Sequence, residues 1–205
     1  MRLPFLASFI IFIIWLTYEL RKSRRKEEKL EKQFWARERE ANNTRRKPLD
    51  GLSFISIPLN ELPLETASDN PQIQEYTDIL RTLSAKKIVN LTGYTNTDLK
   101  LMYGAPNITE LTEYDQNYTL LARTLQQWAT TLFELGYSTE AKSILEFAIS
   151  TDTDVSGSYR LLASIYHSNG EDEKIAALQE RAQKLRSLSK NAIVRILQEF
   201  YPSSD

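Results

Sequence analysis

Hydrophobic and polar residues change their rhythm along the chain, and each change marks a boundary. Residues 3 to 18, LPFLASFIIFIIWLTY, carry no charge, and Phe9 to Leu16 are apolar without a break. Residues 19 to 47 are densely charged, with only a thin apolar strip at Leu30 and Phe34. Between Pro48 and Pro71 the helical spacing disappears, because Pro48, Pro58, Pro63 and Pro71 forbid a continuous helix and favour extended backbone. Beyond residue 71, apolar positions return at intervals of three and four: Ile73, Tyr76, Leu80, Leu83 and Leu91, then Leu125, Trp128, Ala129 and Leu132, then Ala141, Ile144, Leu145 and Ala148. The pattern predicts an all-α fold.

Gly136 separates the last two of these amphipathic runs, with no proline or loop cluster around it. A shift of 34 residues carries it onto Gly170, Leu125 onto Tyr159, Trp128 onto Leu162, Ala129 onto Ala163, Leu132 onto Tyr166 and Ala148 onto Ala182. Glycine ends a helix by taking a left-handed conformation without steric cost, and the small residues let two helices approach closely. This helix–turn–helix period resembles the tetratricopeptide repeat. The resemblance implies a short α-solenoid with repeats over residues 122–155 and 156–189 and a capping helix over 190–201. Gln179 departs from the pattern by standing where a large apolar residue is expected, and neither copy ends in proline.

Upstream, Asp69-Asn70-Pro71 starts a helix expected over 71–91 and stopped near Gly93, which lies outside the repeat register and is read as a non-repeat cap. Residues 91–115 are rich in turn formers but keep Leu99, Leu101, Met102 and Tyr103. Thr97 and Asp98 can cap a short helix through Tyr103. Two readings stay open for this stretch, a structural connector and a binding loop.

Charge sharpens the picture of the N-terminal part. The formal net charge of -1 conceals a basic collar over 21–47, net +7, joined to an acidic body over 48–205, net -8. Residues 3–20 form about 27 Å of helix, close to a bilayer core of about 30 Å. RKSRRK follows the apolar run, and no small-x-small cleavage site does, so the segment is read as an uncleaved single transmembrane anchor. The positive-inside rule places the collar and the body in the cytoplasm. The collar is expected to be a juxtamembrane helix with Arg24–Glu28 and Glu28–Lys32 pairs, and residues 21–32 can attract anionic lipid headgroups. Residues 48–70 are read as a proline-rich linker lying partly on the domain through LSFISIPL.

Composition removes several chemistries. The chain has no cysteine, so disulfides, thiolate metal sites and cysteine nucleophiles are excluded. No phosphate loop, His-Glu zinc motif, calcium loop or nucleophile elbow is present. His167 is the single histidine and has no acidic partner at helical spacing. Glu171, Asp172 and Glu173 sit where carboxylates favour the positive end of a helix. The sequence therefore points to no catalytic, cofactor or metal site and to no nucleic-acid partner. The resemblance instead implies a groove lined by the first helix of each repeat, with Arg123, Gln126, Thr130, Arg160, Ser164 and His167 as the candidate partner-binding residues. The expected role is a membrane-anchored adaptor for a protein or peptide. The alternative is a structural subunit of a membrane complex, contacted through the span or through 91–115.

Overall fold

The computed structural model describes residues 3–200, of which residues 3–7 enter as backbone alone. The fold is all-α. Among the described residues there is no strand, only an isolated antiparallel bridge between Phe54 and Val89. The helices are α1 (Leu3–Asn43), α2 (Pro71–Ser84), α3 (Asn96–Tyr103), a 3-10 turn (Ala105–Asn107), α4 (Ile108–Glu134), α5 (Ser138–Ser150), α6 (Ser156–Ser168), α7 (Asp172–Gln183) and α8 (Lys190–Phe200). The chain divides into two compact units, Met1–Lys47 with Thr95–Asn107, and Pro48–Tyr94 with Ile108–Asp205.

In the first unit, α1 is one continuous helix whose character changes along its length. Phe9 to Leu20 are largely exposed apolar residues, followed by the exposed charges of the collar. Among the described residues no helix is long and apolar enough to cross a membrane. The span expected over 3–20 begins on side chains outside the described set, and from Ser8 to Leu20 the helix extends only about 20 Å. The expected Arg24–Glu28 and Glu28–Lys32 ion pairs are not formed among the described residues; Lys22 pairs with Glu19 at 3.6 Å instead.

The far end of α1 is clasped by α3 and the 3-10 turn. Arg37 donates to Asp98 at 2.6 Å, Lys100 lies 3.6 Å from Glu38, and the Thr97 hydroxyl donates to Glu38. Ala41 is fully buried beneath these contacts. Thr95, not the expected Thr97, caps α3: it forms a reciprocal capping box with Asp98. Asn107 is completely buried, donating to the carbonyls of Lys47 at 2.7 Å and Tyr103 at 2.8 Å while accepting from Arg46 Nε at 2.7 Å. Gly104 has φ 93° and lies directly on the Arg45 backbone, where a β-carbon would come within 2.2 Å of the carbonyl oxygen.

In the second unit, α2 packs on α4, α4 on α5, α5 on α6, α6 on α7, and α8 closes the series against both α6 and α7. One apolar core runs through them from Ile73 and Leu80 to Ile193 and Leu197. The expected proline-rich linker belongs to this core, with Ile57 and Leu62 buried in it and Ile55, Leu59 and Leu64 packed against it. Asn70 caps α2 by accepting from Gln72 and Ile73 with Pro71 in the first turn. The helix ends at Ser84, short of the expected residue 91. The physical reason is a competing pairing: Ile55 N–H donates to Ile88 O at 2.9 Å, and Val89 N–H to Tyr114 O at 3.4 Å, so the β-branched pair Ile88-Val89 runs extended.

Candidate functional site

The two hairpins, α4/α5 and α6/α7, turn through the same geometry. Gly136 has φ 91° and Gly170 φ 70°. Gly136 N–H donates to Phe133 O and Tyr137 N–H to Leu132 O; Gly170 N–H donates to His167 O and Glu171 N–H to Tyr166 O. Each pair of bonds, spanning three and five residues, satisfies the last carbonyls of a helix in a Schellman motif. Leu125, Trp128, Ala129 and Leu132 are fully buried, and their counterparts Tyr159, Leu162 and Ala163 likewise, with Tyr166 5% exposed. Ala148 and Ala182 are both fully buried.

The equivalence breaks at the turns themselves. In the first hairpin, Phe133, Leu135 and Tyr137 are exposed apolar residues. The positions 34 residues on are His167, Asn169 and Glu171. There Glu171 accepts from Lys142 at 2.7 Å and also from Lys174, and those hydrogen bonds pull its carboxyl well below the usual range, to about 2. Both ammonium groups lie over the Tyr166 ring, at 5.7 and 5.1 Å. The Tyr166 hydroxyl donates to Glu146 at 2.8 Å, and burial, seconded by that carboxylate, raises its pKa. The second turn is thus stitched to α5, whereas the first leaves its apolar side chains outward.

The six expected partner-binding residues occupy α4 and α6, and the structure uses them unequally. Arg123 is exposed. The Gln126 amide donates to Thr130 Oγ1 at 3.1 Å and stands 3.2 Å from where a β-carbon on Gly157 would be, so it fills the gap between α4 and the start of α6. Thr130 donates back to Gln126 O at 2.9 Å. Arg160 reaches Glu199 of α8 at 3.5 Å. Ser164 is half-buried and accepts from Ser168 through its carbonyl at 2.9 Å. His167 Nδ1 is 2.8 Å from Asp172, five residues on, and its ring meets Phe200 edge-on at 6.3 Å. The acidic partner is Asp172, across the glycine turn, and not Glu171, four residues on, which pairs with Lys142 and Lys174. Gln126 with Thr130 form one pair, Arg160 and His167 are both engaged by α8, and the six do not gather into a single cluster.

Periodicity gave no sign of a groove between α2 and α4, about 520 Å³ in volume. Its apolar lining is Ile79, Leu83 and Leu120, and Glu75, Asp78 and Lys86 stand around it. Leu120 is 41% exposed. The available signal was its position beside the fully buried Leu121, on a side of α4 that the core spacing leaves vacant. Among the described residues no group of three or more histidines or carboxylates is arranged to hold a metal ion. Compared with protein-family models, curated proteins and solved structures, the chain matches none.

Proposed function

We propose that this chain is a non-catalytic adaptor. Its second unit acts as a short tetratricopeptide-like stack of two hairpins capped by α8, residues 3–20 anchor it in a membrane, and the stack binds a protein or peptide on the cytoplasmic side. The observation that carries this reading is the repetition: two Schellman turns 34 residues apart, with matched burial before each turn and at Ala148 and Ala182 after it. The uncharged run before residue 19 and the dense basic charge after it support the anchor and its orientation. Binding would use the surface that packing leaves unexplained, namely the Phe133, Leu135 and Tyr137 turn and the α2/α4 groove with Leu120. Anchoring would raise the local concentration of a partner near the membrane without better contacts.

Leu120→Glu and Leu135→Glu in the full chain test this reading. Each should leave helicity and thermal unfolding nearly unchanged, because both side chains are exposed, and should weaken recovery of the partner co-purified from membranes. Unchanged recovery with both substitutions rejects these surfaces as the binding site.

A second reading, a structural subunit of a membrane complex, is favoured by Phe34 and Trp35, an exposed edge-to-face aromatic pair on α1. Substituting both by serine would then dissociate the complex, while the adaptor reading leaves partner recovery intact.

A further inference from the structure

The collar of α1 is sided. At about 100° per residue, Arg21, Lys22, Arg25, Lys26, Lys29 and Lys32 fall within an arc of about 140°. Glu27, Glu28 and Glu31 fall outside that arc, Glu28 by only about 20°, and Arg24 is the one basic residue of this stretch that falls with them. All of these side chains are exposed, and apart from Lys22 none of the six has an ion-pair partner among the described residues. The residues through which α3 holds the helix, Arg37, Glu38, Ala41 and Asn42, centre about 160° away from the basic arc. The clasp thus leaves the basic face uncovered. Trp15 and Tyr18, both more than half exposed, project on the same side just before the strip begins.

We propose that this face binds an anionic lipid surface, so that α1 leaves the membrane tilted along it instead of upright. The inference rests on the anchoring reading above and adds the partner and the posture of the collar. A topology signal needs positive charge near the end of the span but no sidedness. Lys32 lies about 16 Å along the helix from Arg21. In an upright helix that distance exceeds the screening length of about 8 Å at physiological salt, so Lys29 and Lys32 would feel little of the surface. Tilting toward the basic arc brings Lys29 and Lys32 nearer the surface and puts Trp15 and Tyr18 at headgroup depth, where amphipathic rings settle. The charges on the strip and on the lipid are opposite, and over residues 21–32 Glu27 and Glu31 point away from the arc.

The absence of cysteine makes a clean test possible. The full chain carrying Gln33→Cys, within the arc, or Glu27→Cys, outside it, is spin-labelled and bound to vesicles of phosphatidylcholine with and without phosphatidylserine. The label at 33 should come within range of a headgroup-attached relaxation agent only when phosphatidylserine is present, and salt should reverse this; the label at 27 should stay out of range. The combined variant Arg25→Gln, Lys26→Gln, Lys29→Gln, Lys32→Gln should lower binding to anionic vesicles at least about tenfold, since each basic residue near such a surface is worth about fivefold. Its binding to neutral vesicles and its helicity should not change. Equal binding of wild type and variant to anionic vesicles overturns the proposal, as does displacement of the chain from them by stoichiometric duplex RNA. Loss of binding to neutral vesicles alone would reject the anchor and leave the strip standing.

Discussion

Gly93 lies with its backbone against Arg186. A β-carbon there would stand 2.6 Å from the Arg186 Cβ and 2.8 Å from its carbonyl oxygen, and the neighbouring Tyr94 receives the guanidinium over its ring at 4.9 Å. The loop after the first packed segment is thereby joined to the loop after α7, two stretches more than ninety residues apart in sequence. Gly136 shares the positive φ of Gly93 but faces open space. Gly136→Ala should therefore cost about 1 kcal/mol, the conformational penalty alone. Gly93→Ala should cost about 2–4 kcal/mol because backbone must also move. Chemical denaturation of the two variants checks the order, and equal losses would contradict it.

Glu171 gives the fold an acid-sensitive joint. Its carboxyl sits near 2 against an ordinary 4.5, held down first by Lys142 and then by Lys174. A lowered folded-state pKa stabilises the fold above the unfolded value and loses that contribution as pH falls toward the folded value. The melting temperature of the wild type should therefore fall relative to Glu171→Gln between about pH 4.5 and about pH 2. A constant difference across that range would show that the carboxylate does not hold the turn in its charged form.

Two buried tyrosines should respond oppositely to loss of their hydroxyls. Tyr159 is fully buried and its hydroxyl has no hydrogen-bond partner among the described residues, so Tyr159→Phe should be neutral or stabilising by up to about 1 kcal/mol. Tyr118 donates to Thr151 O at 3.2 Å, and Tyr118→Phe should cost about 0.5–1.5 kcal/mol. Thermal melts of both variants suffice; a marked loss at Tyr159 would mean that its hydroxyl is bonded after all.

Asn107→Ala removes the amide that donates to the Lys47 and Tyr103 carbonyls, of which Tyr103 keeps its bond from Lys47 N–H at 3.0 Å. The expected local cost is about 1–3 kcal/mol. Amide exchange over residues 103–107 and at the end of α1 should accelerate about tenfold or more. Unchanged exchange there would show that Asn107 does not close the clasp.

How much of this was legible beforehand depends on the range of the forces involved. The turn positions and the burial of Trp128, Ala129 and Ala163 are local consequences of helical spacing, and a glycine that ends a helix is readable in isolation. The stop of α2 at Ser84 was not, because Ile88 and Val89 continue an apolar pattern and only their distant partners Phe54 and Ile55 pull them into an extended run. Pro58 and Pro63 correctly forbade helix, yet Ile57 and Leu62 between and beside them are core residues. At the candidate surface, spacing selected the side of α4 and α6 between the packing positions but could not foresee that α8 would engage Arg160 and His167. Leu120 could be placed off the core stripe of α4, but the groove it lines could not, because that groove depends on α2, a helix outside the repeat register.

The central claim is that a repeated helical stack anchored at a membrane presents the Leu120 and Leu135 surfaces to a protein partner. Photo-crosslinking in intact membranes, followed by mass spectrometry, tests it most directly, with reactive residues placed one at a time at Leu120, Leu135 and, as a control, the fully exposed Leu188. The account predicts one shared protein captured from positions 120 and 135 in the membrane fraction, and not from 188. Capture of no shared protein at 120 and 135, equal capture from 188, or recovery of the chain and its crosslinks wholly outside the membrane fraction, would contradict it.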